Sequence, residues 1–161
     1  MSGKIIIGVG DLAVSNKRGA ELVTYSLGSC IGVIIHDAAA CVGGLLHLML
    51  PDSNLNPERA RNQPGVFADT GLPLLFKKAY QLGAKKGRLR VVVVGGSQVM
   101  DASGHFNIGK RNYAMVRKIF WRNNVLIDKE DVGGNVNRTV GLEVGNGRLW
   151  VKTNGAEVKS L

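Results

Sequence analysis

The stretch LRVVVVGG, Leu89 to Gly96, constrains the fold more than any other. A continuous run of β-branched residues bounded by glycines reads as a strand buried on both faces, because a half-exposed strand would alternate apolar with polar side chains. Such a strand sits centrally in a sheet, so its neighbours must supply further strands. Upstream, KIIIGVG (Lys4 to Gly10), AELVTY (Ala20 to Tyr25) and a hairpin within CIGVIIHDAAACVGGLLHLML all carry strand signals. The polar, proline-containing segment Pro51 to Gly65 that follows is unusually long for a connection inside a compact domain, and is expected to be a mobile lid or a disordered loop.

Two helices are predicted. From Thr70, the positions Leu72, Leu75, Phe76, Ala79 and Leu82 follow helical spacing, with Pro73 tolerable near the first turn and Gly83 as the stop. In NIGKRNYAMVRKIFWRNN, Asn107 is the expected cap of a helix whose buried stripe is Ile108, Met115, Val116, Ile119 and Phe120. The C-terminal third returns to β. A short strand lies in NVLIDKEDVGGN, and TVGLEVGNGRLWVKT alternates around the turn Gly145-Asn146-Gly147. Strands that precede, separate and follow two helices, without regular βαβ alternation, indicate an α+β fold or mixed sandwich.

The 161 residues fit one globular domain, residues 1–161. A chain of that size buries roughly two thirds of its unfolded surface and needs no disulfide or metal to hold it. With two cysteines and no CxxC, a four-ligand zinc site is not expected, nor is any other metal or cofactor. The N-terminal apolar run is too short for a signal peptide and no run approaches the ~20 apolar residues of a bilayer span, so a cytoplasmic location is expected. The net charge of +9 would attract acidic surfaces, nucleic acid or anionic membranes. Aromatic residues at 6%, with no stacking pattern or recognition motif, argue against nucleic acid as the partner. The densest basic cluster, KKAYQLGAKKGRLR, reads as a solvated helix end.

The hairpin carries the chemistry. A two-residue loop at Ala38 and Ala39 pairs Asp37 with Ala40 and, carried outward, sets Cys30 directly opposite His47. In that register their Cβ atoms are about 4.5 to 5.5 Å apart, within reach of a thiol–imidazole contact. A His lowers a thiol's pKa by forming an ion pair with it. Cys30 follows LGS, a tight turn whose Ser29 and Cys30 N–H groups are candidates for holding one oxyanion. Thr24, six residues earlier, is placed to accept a hydrogen bond from the imidazole and fix its tautomer. Residue types alone leave two arrangements side by side: a nucleophile with its base, or an inert packed Cys beside a satisfied core His. His36, beside the turn and facing Cys41, and His105, in DASGHFN, read as surface or loop residues.

TYSLGSC, HLMLPDS, FADTGL, GGSQVM, NIGKRN and DVGGNVNR, in that order along nearly the whole chain, resemble the CheD family of chemoreceptor glutamine deamidases. The resemblance implies an α/β sandwich of mixed, largely antiparallel sheets with two main helices packed outside, similar to bacterial toxin-type deamidases. It implies a cysteine amidohydrolase with a catalytic triad of Cys30, His47 and Thr24, acting on specific glutamines of chemoreceptor cytoplasmic helices, with esterase action on methylated glutamates. A CheC-type phosphatase is the implied partner, and no membrane insertion is expected. Surfaces proposed to read the substrate or partner are GGSQVMDASGHFNIG, including Ser97, Met100, Phe106 and Asn107, and the loop after Pro51. The alternative is a non-catalytic adaptor that binds receptors or the phosphatase. Two positions depart from the family pattern: Ser26 stands where Gly is expected, and Asn137 where Gly or Ala is common.

Overall fold

A computed structural model describes residues 3–98, 107–154, 156 and 158–161. In chain order the strands are β1 (Lys4–Ile6), β2 (Leu12–Ser15), β3 (Glu21–Leu27), β4 (Ile31–Asp37) and β5 (Val42–Leu48). Helix α1 (Pro57–Asn62), helix α2 (Ala68–Gln81), β6 (Arg90–Gly95) and helix α3 (Ile108–Arg122) follow. The chain closes with β7 (Lys129–Val132), β8 (Arg138–Glu143), β9 (Leu149–Thr153) and β10 (Lys159–Ser160). They form two five-stranded sheets, ordered β1-β3-β8-β9-β10 and β2-β5-β4-β6-β7. Pairing is antiparallel except for β1 with β3 and β6 with β7, which matches the mixed α+β expectation.

The second sheet is buried on both sides, as the all-buried patterns of β4 and β5 and the near-complete burial of β6 show. One face sends Ile31, Val33, Ile35, Leu46, Leu48, Val91 and Val93 against Leu72, Leu75 and Ala79 of α2 and Val116 and Phe120 of α3. The other sends Ile34, Leu45, Val92 and Val94 against Leu22, Leu27, Val140, Leu142 and Val151 of the first sheet. Each such fully buried Leu or Val contributes roughly 1.5–3 kcal/mol. The layers are therefore sheet, sheet, helices, and the run Val91 to Val94 is apolar throughout because it meets a different layer on each side.

Several expectations are corrected. The hairpin register is offset by two residues: Asp37 pairs with Val42 and Gly32 with His47, so Cys30 does not oppose His47. Its loop has four residues, Ala38 to Cys41, because the Asp37 carboxylate accepts the Ala40 N–H at 3.1 Å and Cys41 adopts φ 54°. The first strand stops at Ile6, and an unpredicted edge strand, β2, pairs with β5. The segment Pro51 to Gly65 is no disordered loop. It folds into α1 flanked by 3-10 turns at Ser53–Leu55 and Pro64–Val66, with Asn56 accepting the Arg59 N–H and Pro57 opening the helix. Asp69 ties it down by accepting from the Ser53 N–H and hydroxyl, at 2.9 and 2.7 Å. Pro73 is the sixth residue of α2, past the first turn, and stays exposed at the helix surface. The basic cluster is partly structural: Arg88 pairs with the fully buried Asp37 at 2.9 Å, and Arg90 donates to the Leu161 carbonyl at 2.6 Å. Burial opposes the Asp37 charge, yet the Lys85 and Ala40 N–H groups and the Arg88 guanidinium outweigh it and hold the carboxyl below its usual range.

Candidate active site

Thr24 of β3 and His47 of β5 belong to different sheets and meet between them. Along β3, Leu22 and Thr24 face inward. A bulge between Thr24 and Leu27 adds one residue, so that Leu27 also faces inward while Tyr25 and Ser26 are exposed. Ser26 carries the bulge at φ 59°, the left-handed conformation in which Gly is favoured. The departure at Ser26 thus falls on a position with a backbone reason for Gly. Asn137 has no positive φ, and its N–H donates to Asn154 Oδ1 at 2.9 Å.

Both Thr24 and His47 are fully buried. The Thr24 hydroxyl donates to the Ile7 carbonyl at 2.6 Å, so its oxygen must act as acceptor toward His47 Nδ1, 2.7 Å away. That assigns the proton to Nδ1 and leaves Nε2 with its lone pair. His47 is also pinned by its backbone: its N–H donates to the Asp11 carbonyl and its carbonyl accepts from Gly10 N–H. Nε2 has no hydrogen-bond partner among the described residues. Burial lowers the imidazole pKa to about 4, so the ring is neutral at physiological pH.

Cys30 lies in the bend before β4, half-buried, and packs against the core between the sheets. Two residues before Gly32, the partner of His47, it packs into the layer between the sheets where His47 meets Thr24, on the same face as His47. Burial pushes its thiol up to about 11, partly offset by its own backbone N–H. The resting pair is therefore a neutral thiol and a neutral imidazole rather than an ion pair.

The bend is held by its carbonyls. Gly28 C=O accepts from Ser97 N–H at 2.8 Å, Ser29 C=O from Asn112 Nδ2 at 2.9 Å, and Cys30 C=O from Gly96 N–H at 2.9 Å. Among the described residues, the Ser29 and Cys30 N–H groups donate to no backbone carbonyl. Asn112 also donates to the Met49 carbonyl at 2.9 Å and is fully buried. Sequence reasoning missed it, although helical spacing placed it within the buried stripe of α3, between Ile108 and Val116.

Ser97, expected at a surface that reads the substrate, is instead buried. Its hydroxyl lies within 3.0 Å of the Gly133 and Val136 carbonyls and accepts from Arg138 at 2.9 Å. Asn107 opens α3, but in a left-handed conformation and with no side-chain cap; its Oδ1 accepts from Gln98. Met100, Phe106 and His105 lie outside the described residues. His36 is no surface residue: it is buried, with Nε2 donating to the Val144 carbonyl at 2.8 Å. An apolar concavity of about 530 Å³ opens between α2 and α3, lined by Leu72, Phe76, Tyr80, Ile119 and Phe120. It lies on the helix side of the second sheet and includes none of Thr24, Cys30 and His47. No helix among the described residues is long and apolar enough to cross a membrane.

Residues 49–153 match the family described as CheD chemotactic sensory transduction. A relative from Syntrophus aciditrophicus (strain SB), named "Probable chemoreceptor glutamine deamidase CheD 1", is 52% identical over 159 residues, covering 99% of each chain. One from Solibacter usitatus (strain Ellin6076), named "Probable chemoreceptor glutamine deamidase CheD", is 48% identical over 154 residues, covering 96% of this chain and 91% of its own. The family match starts just past His47, but both relatives align over nearly the whole chain, Thr24, the Cys30 bend and His47 included. The chain belongs to the CheD family.

Proposed function

We propose that this protein hydrolyses the side-chain amide of specific glutamines in chemoreceptor cytoplasmic helices, with Cys30 as nucleophile, His47 as general base and acid, and Thr24 positioning the imidazole. The names of the relatives supply the substrate class. The observation that carries the residue roles is the chain Ile7 C=O, Thr24 hydroxyl, His47 Nδ1–H, which leaves a buried Nε2 lone pair, unpartnered among the described residues, on the face that Cys30 shares.

The neutral resting pair sets the order of events. As the Cys30 sulfur attacks the amide carbon, its proton passes to His47 Nε2, and the carbonyl oxygen becomes an oxyanion facing the Ser29 and Cys30 N–H groups. His47 then returns the proton to the leaving nitrogen, ammonia departs, and a thioester remains. Water, deprotonated by His47, attacks the thioester and yields glutamate and the free thiol. A glutamate methyl ester passes through the same thioester with methanol as the leaving group, so esterase action needs no second site. A CheC-type phosphatase is the proposed regulatory partner, and the +9 charge is proposed to steer the enzyme toward acidic receptor surfaces.

The test is mass spectrometry of receptor co-expressed with the full chain, where each deamidated glutamine gains about 1 Da as nitrogen is replaced by oxygen. Loss of that gain with Cys30→Ala supports the reading. Unchanged deamidation in that variant overturns it in favour of a route that does not use Cys30.

A further inference from the structure

We propose that Asn112 is a positioning residue for the oxyanion donors, acting through the Ser29 carbonyl. The inference rests on the reading that Cys30 attacks an acyl carbon. A trans peptide unit sets its C=O and the following N–H antiparallel, so whatever fixes the Ser29 carbonyl also fixes where the Cys30 N–H points. Asn112 Nδ2 fixes it from the helix side, at 2.9 Å, so the Cys30 N–H faces away from α3. That N–H lies against its own thiol, the side on which an attacked carbonyl would stand. The Gly28 carbonyl is held likewise by Ser97 N–H, which orients the Ser29 N–H.

The amide of Asn112 has only one orientation that fits. Its two partners, the Ser29 and Met49 carbonyls, are both acceptors, so the NH₂ group must face them. Met49 is two residues past His47, so one side chain ties the nucleophile's bend to the strand that carries the base. The anchor is rigid. Asn112 sits on the second turn of α3, and Gly109, one turn earlier, packs so close to Gly96 and Ser97 that a Cβ there would lie 2.4 Å from the Ser97 carbonyl oxygen.

Asn112→Asp separates this role from simple packing. It keeps the shape but turns a carboxylate oxygen toward two carbonyls. With the full chain and a purified receptor cytoplasmic fragment, Asn112→Ala and Asn112→Asp are expected to lower kcat for ammonia release on the order of 10²-fold at nearly unchanged KM, as losing one oxyanion donor does. Alkylation by iodoacetamide, read at Cys30 by peptide mass spectrometry because Cys41 is also free, builds no oxyanion; its pH profile moves upward in the variants as the Cys30 N–H leaves the thiolate, but its limiting rate on the formed thiolate stays near the wild-type value. A folded Asn112 variant with wild-type kcat overturns the proposal, as does a kcat that falls in step with the limiting alkylation rate. A measurement on the wild type guards against variants that fail to fold: a peptide aldehyde isosteric with glutamine forms a hemithioacetal at Cys30. The Cys30 amide proton is then expected to move downfield while the Asn112 side-chain protons keep their shifts. A Cys30 amide unmoved in the formed adduct refutes the donor geometry. Wild-type enzyme that neither releases ammonia nor forms the adduct refutes the deamidase reading instead.

Discussion

Acidification should destabilise this protein through His47, by an amount that its burial fixes. The imidazole pKa falls from 6.5 to about 4 on folding, because the site between the sheets solvates an imidazolium poorly. The unfolded chain therefore binds the proton more tightly, and stability rises with pH through the window between the two values. The contribution of neutral His47 is complete above the unfolded value, diminishes as pH falls below 6.5, and is gone below about 4. At 1.36 kcal/mol per pKa unit the full effect is about 3 kcal/mol, of which about 2 kcal/mol is lost between pH 7 and pH 5. Urea unfolding at those two pH values measures it. The control is His47→Gln, which removes the titrating ring and leaves every other group to cancel in the difference. The wild type should lose about 2 kcal/mol more than the variant. A thiolate–imidazolium pair would raise the His47 pKa and reverse the sign. Equal losses, or a smaller loss in the wild type, would therefore refute the neutral pair and the proton-transfer order built on it.

Other perturbations reach neighbouring parts of the site. Thr24→Val leaves His47 Nδ1–H and the Ile7 carbonyl without partners. It should lower kcat about 10- to 100-fold and stability by about 2 kcal/mol or more, while Thr24→Ser restores both, as ammonia-release kinetics and thermal unfolding would show. Ser26→Gly relieves the left-handed bulge and should stabilise by about 1 kcal/mol in urea unfolding, whereas Ser26→Val should destabilise. Gly109→Ala forces a Cβ against the Gly96 and Ser97 carbonyls and should lower the unfolding midpoint while slowing turnover. A variant with wild-type values in both would contradict the close approach of α3. At the alkaline end, the raised Cys30 pKa means that its contribution to stability is present below 9.0 and fades as pH rises toward about 11, which unfolding of wild type against Cys30→Ala would detect.

The sequence made the layers legible and left the meeting of the site residues hidden. Val91 to Val94 required cover on both faces, and the apolar stripes of α2 and α3 named the cover on one of them. The hairpin was found but misregistered, since a two-residue loop at Ala38 and Ala39 ignores the ability of Asp37 to hold a longer turn through Ala40. Strand β2 escaped notice because an edge strand that is only half-buried carries a weak alternation. Thr24 and His47 are brought together by the docking of two sheets, a long-range event that no spacing along the chain encodes. The hydrogen bond expected between Thr24 and the imidazole is present, but sheet docking delivers it rather than the local bend after Tyr25. Asn112 was within reach of physical reasoning, as a polar residue in an otherwise apolar helical stripe needs a buried partner, and here it has two.

Because the imidazole is carried by one sheet and its hydroxyl partner by the other, the proposed mechanism ties turnover to how those sheets are docked. Substitutions that loosen the seal of Leu22, Leu27 and Val140 over Ile34, Leu45 and Val94 should therefore lower ammonia release before they unfold the chain, which makes the substrate assay a gauge of inter-sheet packing.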